Sequence, residues 1–66
     1  MANTELQIAR QKVSDQKMLV LKQQTLVLGM KREGGQKLEA EIVLLEAMRD
    51  ELAVMEKRLD RLVREA

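Results

Sequence analysis

The feature that most constrains this chain is a heptad repeat of apolar residues that occurs twice, once on each side of Gly34 and Gly35. Before the glycines, heptad positions a and d hold Leu6, Val13, Val20 and Val27, and Ala9, Gln16, Gln23 and Met30. After the glycines, they hold Leu38, Leu45, Leu52 and Leu59, and Glu41, Met48, Met55 and Leu62. This spacing is typical of α-helices that pack against other helices. The sequence therefore predicts an all-α fold with two long helices.

The two repeats mirror each other about the glycines. If the chain reverses there, each a residue faces a d residue of the other helix, and the residue numbers of every facing pair add up to 68. Val20 then faces Met48, for example, and Leu6 faces Leu62. We therefore predict one domain, residues 1–66, folded as an antiparallel helical hairpin of coiled-coil type. Its predicted core consists of Leu6, Val13, Val20, Val27, Met30, Leu38, Leu45, Met48, Leu52, Met55, Leu59 and Leu62.

The predicted boundaries are helix 1 at about 4–32, a loop at about 33–36 with its turn at Gly34 and Gly35, and helix 2 at about 37–65. Thr4 can cap helix 1 together with Gln7, with Asn3 as the alternative cap. Each half of the chain begins with acidic and ends with basic residues, which suits the dipoles of two separate helices. The half before Glu33 carries six basic and two acidic residues and the rest six basic and nine acidic, so opposite net charges favour pairing of the two helices.

Two other folds fit parts of the pattern. The 11-residue step from Val27 to Leu38 is a stutter that one continuous helix can absorb. That rod would hold two glycines inside a helix, at a cost of about 2 kcal/mol, and would reach about 100 Å. The near repeats at residues 18–21 and 25–28 could also form two short strands, but their seven-residue spacing and the flanking Gln and Lys favour a helix.

Several apolar residues lie outside positions a and d, in the half of each helix next to the loop. A helix that is apolar over more than half of its circumference must be covered on two sides. The alternative is a contiguous set of exposed leucines, which is uncommon on a soluble monomer. We therefore expect two or more hairpins to form a helical bundle through this predicted oligomer interface, which consists of Leu19, Leu21, Leu26, Leu28, Ile42, Val43 and Leu44.

Gln16 and Gln23 are polar residues at core positions. A buried amide accepts only a neighbour that satisfies its hydrogen bonds, so the two residues can fix the register of the helices. The alternative is that the core is loose or hydrated at these layers. Met48 and Met55 are flexible side chains at core positions and could mark an adaptable binding groove. A core methionine, however, more often only fills space.

The composition argues against catalysis. The chain has no His, Cys or aromatic residue, so it lacks imidazole bases, thiolate nucleophiles and stacking platforms. We expect no catalytic residue, no cofactor and no metal, since carboxylates at these spacings usually form a solvated helix face. The polar start resembles no secretory signal and no apolar run approaches the roughly 20 residues of a membrane span. A cytoplasmic protein is the default expectation.

Association of chains is therefore the expected function, as an assembly, scaffold or adaptor element. The expected partner is a second copy of the chain, as a dimer or higher oligomer, or another helical protein; helix 2 could also pair antiparallel with its own copy. The alternative is a small regulator that binds nucleic acid through basic residues of helix 1, namely Arg10, Lys17, Lys22, Lys31 and Arg32. The near-neutral net charge of +1 argues against nucleic acid as a partner, and a membrane-surface helix ranks third.

Overall fold

The computed structural model describes residues 2–34 and 36–65, and for Ala2 and Asn3 it describes the backbone alone. Helix α1 spans Ala2–Glu33 and helix α2 spans Leu38–Glu65. The two helices pack against each other in a body that measures 49 × 14 × 11 Å. A straight helix as long as α1 extends about 48 Å at 1.5 Å per residue, so the chain folds back on itself. The predicted all-α helical hairpin is confirmed, and the continuous rod is excluded.

Helix α1 begins earlier than the sequence predicts. Its first residue is Ala2, so Thr4 lies inside the first turn and does not occupy the predicted position before the helix. The side chain of Asn3, the alternative cap, lies outside the described residues. The charges at the helix ends are placed as expected, with Glu5 in the first turn and Lys31 and Arg32 in the last turn. Charge at the termini therefore supports α1 whether or not a side chain caps it.

The chain leaves α1 at Gly34, which has a φ of +68°. The amide of Gly34 donates to the carbonyl of Met30 at 2.8 Å, the single bond that closes a helix in the left-handed C-terminal motif. A residue with a Cβ adopts this φ at a cost, which explains the glycine. Gly35, the other predicted turn residue, lies outside the described residues. Helix α2 then begins at Leu38, one residue after the predicted start.

All twelve residues of the predicted core are buried or half-buried in the hairpin. Val13, Val20, Val27 and Leu45 are buried, with exposed fractions of 4–8%. Val20, Val27 and Leu45 form one cluster, against which Leu38, Met48 and Leu52 pack. The remaining core residues are half-buried. One helix therefore covers the a and d face of the other, but this interface alone buries few side chains completely.

The hairpin exposes more surface than its size requires. Its solvent-accessible area is 5525 Å², whereas a compact monomer of the same mass exposes about 4,300 Å². Among the residues whose side chains the structure describes, ten large hydrophobic ones are at least 45% exposed. A pair of helices has no second layer to cover its outer faces, so apolar residues outside the a and d positions remain in contact with solvent.

Candidate association surfaces

Exposed apolar residues lie on two flanks of the hairpin in the half next to the loop. We call these residues together the loop-proximal surface, which consists of Leu19, Leu21, Leu26, Leu28, Val43 and Leu44. These six residues are 45–64% exposed, and all belong to the predicted oligomer interface. The seventh predicted residue, Ile42, is placed differently: it is half-buried and packs against the cluster around Val27 and Leu45. Ile42 occupies heptad position e, which lies next to the interhelical seam, and this position brings its side chain into the hairpin core.

The loop-proximal surface occupies two flanks of α1. Leu19 and Leu26 are one heptad apart and share one flank, and Leu21 and Leu28 share another. Residues two apart on an α-helix point about 160° away from each other, at 3.6 residues per turn. Helix α2 covers neither flank, so α1 is apolar on both sides of the interhelical seam in this region. Such a helix is normally covered by more than one neighbour.

A second apolar feature lies at the end of the hairpin away from the loop. It is an open groove of about 810 Å³ between the two helices, which we call the terminal groove. Ile8 of α1 and Val54 of α2 line it, and each is 51% exposed. The sequence analysis did not select these two residues because they lie outside both the core positions and the loop half. Their shared heptad position c was the available signal, since it places them on the same side of the hairpin.

Charged residues border the terminal groove on both helices. Glu5 and Lys12 lie on α1, and Asp50, Glu51 and Arg58 lie on α2, so α1 contributes one acidic and one basic residue and α2 contributes two acidic and one basic. All five side chains are exposed. Among the described residues the ion pair closer than 4 Å joins Arg64 to Asp60, one turn apart on the surface of α2. The charges that border the groove are therefore free to meet charges on a partner.

The two core glutamines form hydrogen bonds across the hairpin. Gln16 is 9% exposed, and its Nε2 donates to the backbone carbonyl of Met48 at 2.9 Å. Gln23 is 8% exposed, and its Nε2 donates to both the backbone carbonyl and the carboxylate of Glu41. No buried side-chain nitrogen or oxygen of the described residues lacks a partner. The side-chain nitrogens of both glutamines are thus bonded to groups on the opposite helix.

These hydrogen bonds agree with the facing pairs derived from the heptads. Gln16 was predicted to face Leu52, and it bonds to the carbonyl four residues earlier, at Met48. In an α-helix that carbonyl accepts the amide of the residue four positions later, so it lies beside the backbone of Leu52. Gln23 and Leu45 show the same relation, with Glu41 as the acceptor. The sum of 68 therefore describes the alignment of the two helices at both polar layers.

The five basic residues considered for nucleic-acid contact do not form one stripe. All are exposed on α1. Arg10, Lys17 and Lys31 share heptad position e, but Lys22 points about 140° away from Lys17, at 3.6 residues per turn. Glu56 of α2 also lines a shallow depression together with Lys17. The hairpin therefore divides these charges between two sides and places an acidic residue beside one of them.

Two further structural findings concern the described part of the chain. Residues 2–34 and 36–65 contain no group of three His, Cys, Asp or Glu residues placed to hold a metal ion. Neither α1 nor α2, over the residues described, has a segment long and apolar enough to pass through a bilayer. Comparisons with protein-family models, with curated proteins and with solved structures find no match to this chain.

Proposed function

We propose that this chain is an oligomerising helical hairpin of coiled-coil type, whose function is to bring protein chains together as an assembly, scaffold or adaptor element. The observation that carries the proposal is the loop-proximal surface, where six large apolar side chains of α1 and α2 are about half exposed. Contiguous exposed apolar patches on soluble proteins commonly mark sites of association. The occupant proposed is a second copy of the chain, which presents the same surface.

The available apolar area is sufficient for reversible self-association. Burying the exposed half of a leucine contributes about 1 kcal/mol, taking half of the value for complete burial. An oligomer that covers both flanks of α1 would bury all six side chains of each copy and gain about 6 kcal/mol per copy, against an association cost of about 4–15 kcal/mol. The two terms are similar in size, so the fraction of oligomer should depend strongly on protein concentration. Measurements must therefore cover a wide concentration range.

The test is sedimentation velocity on the wild-type chain and on a Leu19→Gln/Leu26→Gln variant. We expect concentration-dependent oligomers for the wild type and a shift toward the 7.6 kDa monomer for the variant. Helix content by circular dichroism checks that the variant is folded, because both leucines are exposed in the hairpin. Val63→Gln is the matched control: Val63 is 49% exposed but lies far from the loop, and its replacement should leave the oligomer intact.

Two results would reject the proposal. A wild-type chain that sediments as a monomer at every concentration has no self-association to explain. An oligomer of unchanged mass and stability in the Leu19→Gln/Leu26→Gln variant would show that the loop-proximal surface does not hold the chains together.

A further inference from the structure

We infer that two hairpins dimerise in antiparallel orientation through the side of the molecule that carries the terminal groove, with Ile8 of one copy against Leu19 of the other. This inference deepens the proposed self-association, on which it rests, by specifying the face, the orientation and the register. It uses a groove that the loop-proximal surface does not include. Leu19 connects the two features, because it belongs to the loop-proximal surface and lies on the same flank of α1 as Ile8.

The flank in question is formed by heptad positions c and g of α1. From residue 5 to residue 22 these positions hold six residues, namely Glu5, Ile8, Lys12, Asp15, Leu19 and Lys22; toward the loop, Leu26 and Gly29 follow them. All six side chains are exposed, with Ile8 at 51% and Leu19 at 45%. Read along the helix, the order is acidic, apolar, basic, acidic, apolar, basic. Read in the opposite direction, each acidic residue changes places with a basic one and each apolar residue with another apolar one.

This order makes the flank complementary to itself when two copies run antiparallel. In the alignment whose facing residue numbers add up to 27, Ile8 meets Leu19, Glu5 meets Lys22 and Lys12 meets Asp15 of the second copy. A two-fold axis repeats each pair, so the flank forms two apolar contacts and four opposite-charge contacts. Charge complementarity of this kind fixes register and suppresses other alignments. A symmetric dimer requires such a self-complementary patch.

The neighbouring alignments lack this complementarity. Moving one copy by a heptad toward a sum of 20 places Glu5 opposite Asp15, which is a like-charge pair. Moving it the other way, toward a sum of 34, places Lys12 opposite Lys22. Like charges in direct contact destabilise a helix interface. The alignment with a sum of 27 is therefore preferred over both.

Helix α2 fits the same alignment without further adjustment. Within the hairpin, the numbers of facing residues add up to 68. Glu51 therefore lies level with residue 17 of α1, and Arg58 lies level with residue 10. These two levels also add up to 27, so Glu51 of one copy comes level with Arg58 of the other. Both residues border the terminal groove. The groove of one copy thus faces the groove of the second, and the apolar side chains of Ile8 and Val54 leave solvent together.

The surface area of the hairpin supports a second copy as the occupant. Each chain exposes 5525 Å², about 1,200 Å² more than a compact monomer of its mass. A standard stable interface removes about 800 Å² from each partner. A face that runs along most of α1 can supply that area. Dimerisation would therefore bring the exposed surface close to that of an ordinary small protein.

Disulfide formation between two different single-cysteine variants tests the register, since the chain has no native cysteine. The variants are Ile8→Cys and Leu19→Cys, one of them uniformly labelled with ¹⁵N because the two substitutions give equal masses. Mixed and then oxidised in a glutathione buffer, they should form the mixed disulfide in at least about fivefold excess over either homodisulfide. Each variant alone should remain reduced, because its two copies of the thiol lie 11 residues apart along α1, about 16 Å, which is too far for a disulfide.

A control variant reports the neighbouring register. Leu26→Cys mixed with Ile8→Cys samples the alignment with a sum of 34, and it should form little mixed disulfide. Homodisulfides that form as readily as the mixed one would overturn the inferred register, and so would preferential bonding between positions 8 and 26.

A charge exchange gives an independent readout that leaves the apolar contacts intact. Glu5→Lys alone and Lys22→Glu alone each create two like-charge pairs in the dimer, and each should weaken the dimer about tenfold at low salt. An equimolar mixture of the two variants restores both opposite-charge pairs in the heterodimer. It should therefore sediment like the wild type, and a mixture that associates no better than either variant alone would contradict the inferred contacts.

The outcomes separate this inference from the proposed function. If the wild-type chain remains monomeric, both the proposed function and the inferred dimer are rejected. A wild-type chain that self-associates while both the disulfide and charge-exchange experiments fail removes the antiparallel register alone, and leaves the loop-proximal surface as the route of association.

Discussion

The same chemical change at two glycines should have opposite effects on stability. Gly29 lies within α1, and an added Cβ would meet no atom within 4 Å. Gly34 also has open space around it, but its φ of +68° is a conformation that L-residues rarely adopt. An added Cβ therefore meets no steric clash at either position, and the two positions differ only in backbone conformation. Replacement of each glycine by alanine isolates that difference.

The expected magnitudes follow from the two conformations. Alanine is favoured over glycine inside a helix by about 1 kcal/mol, so Gly29→Ala should raise the free energy of unfolding by up to that amount. An alanine in the left-handed region costs about 1–2 kcal/mol, so Gly34→Ala should lower it. For a domain of this size, 1 kcal/mol corresponds to a change in Tm of about 4–8 °C. The two variants should therefore differ by about 2–3 kcal/mol, or about 8–24 °C in Tm.

Thermal unfolding followed by circular dichroism at matched protein concentrations measures both effects, because association also stabilises a folded state. Gly34→Asn is a useful third variant: asparagine tolerates the left-handed region better than alanine, so its loss should be smaller. The double variant Gly29→Ala/Gly34→Ala should come close to the sum of the two effects. Stabilisation by both single substitutions would refute the reasoning, since that is the result expected for one continuous helix.

Two other properties can be tested directly. Gln23→Ala should reduce the free energy of unfolding by about 2 kcal/mol and Gln16→Ala by about 1 kcal/mol, as measured by urea denaturation. The two residues are about equally buried, but Gln23 also donates to the carboxylate of Glu41 and bonds to charged groups are stronger; equal losses would contradict this account. Titration of the wild-type chain with RNA or DNA at low salt should show no saturable binding, because the basic residues of α1 lie on separate sides; tight binding that weakens steeply with added salt would revive the nucleic-acid alternative.

The local pattern of residues was sufficient to predict the hairpin. Heptad spacing identified both helices and placed Gln16 and Gln23 at core positions, where both are buried and bonded to the opposite helix. The turn at Gly34 followed from glycine's tolerance of positive φ. The start of α1 was not predictable in the same way, because dipole-compatible charge and helix propensity allow the helix to begin at Ala2, before the best capping side chain. Helix ends are set by small energy differences between neighbouring positions.

The tertiary structure decided which of the apolar residues outside the seam remain exposed. Ile42 and Leu44 are two residues apart and similarly apolar, but Ile42 packs against the hairpin core and Leu44 stays 46% exposed. The terminal groove also required the structure, since Ile8 and Val54 are distant in sequence and come together only when α1 and α2 are aligned. Periodicity within one helix determines which residues share a face. Which faces are covered depends on the register and rotation of two helices against each other, and those emerge only when the helices pack.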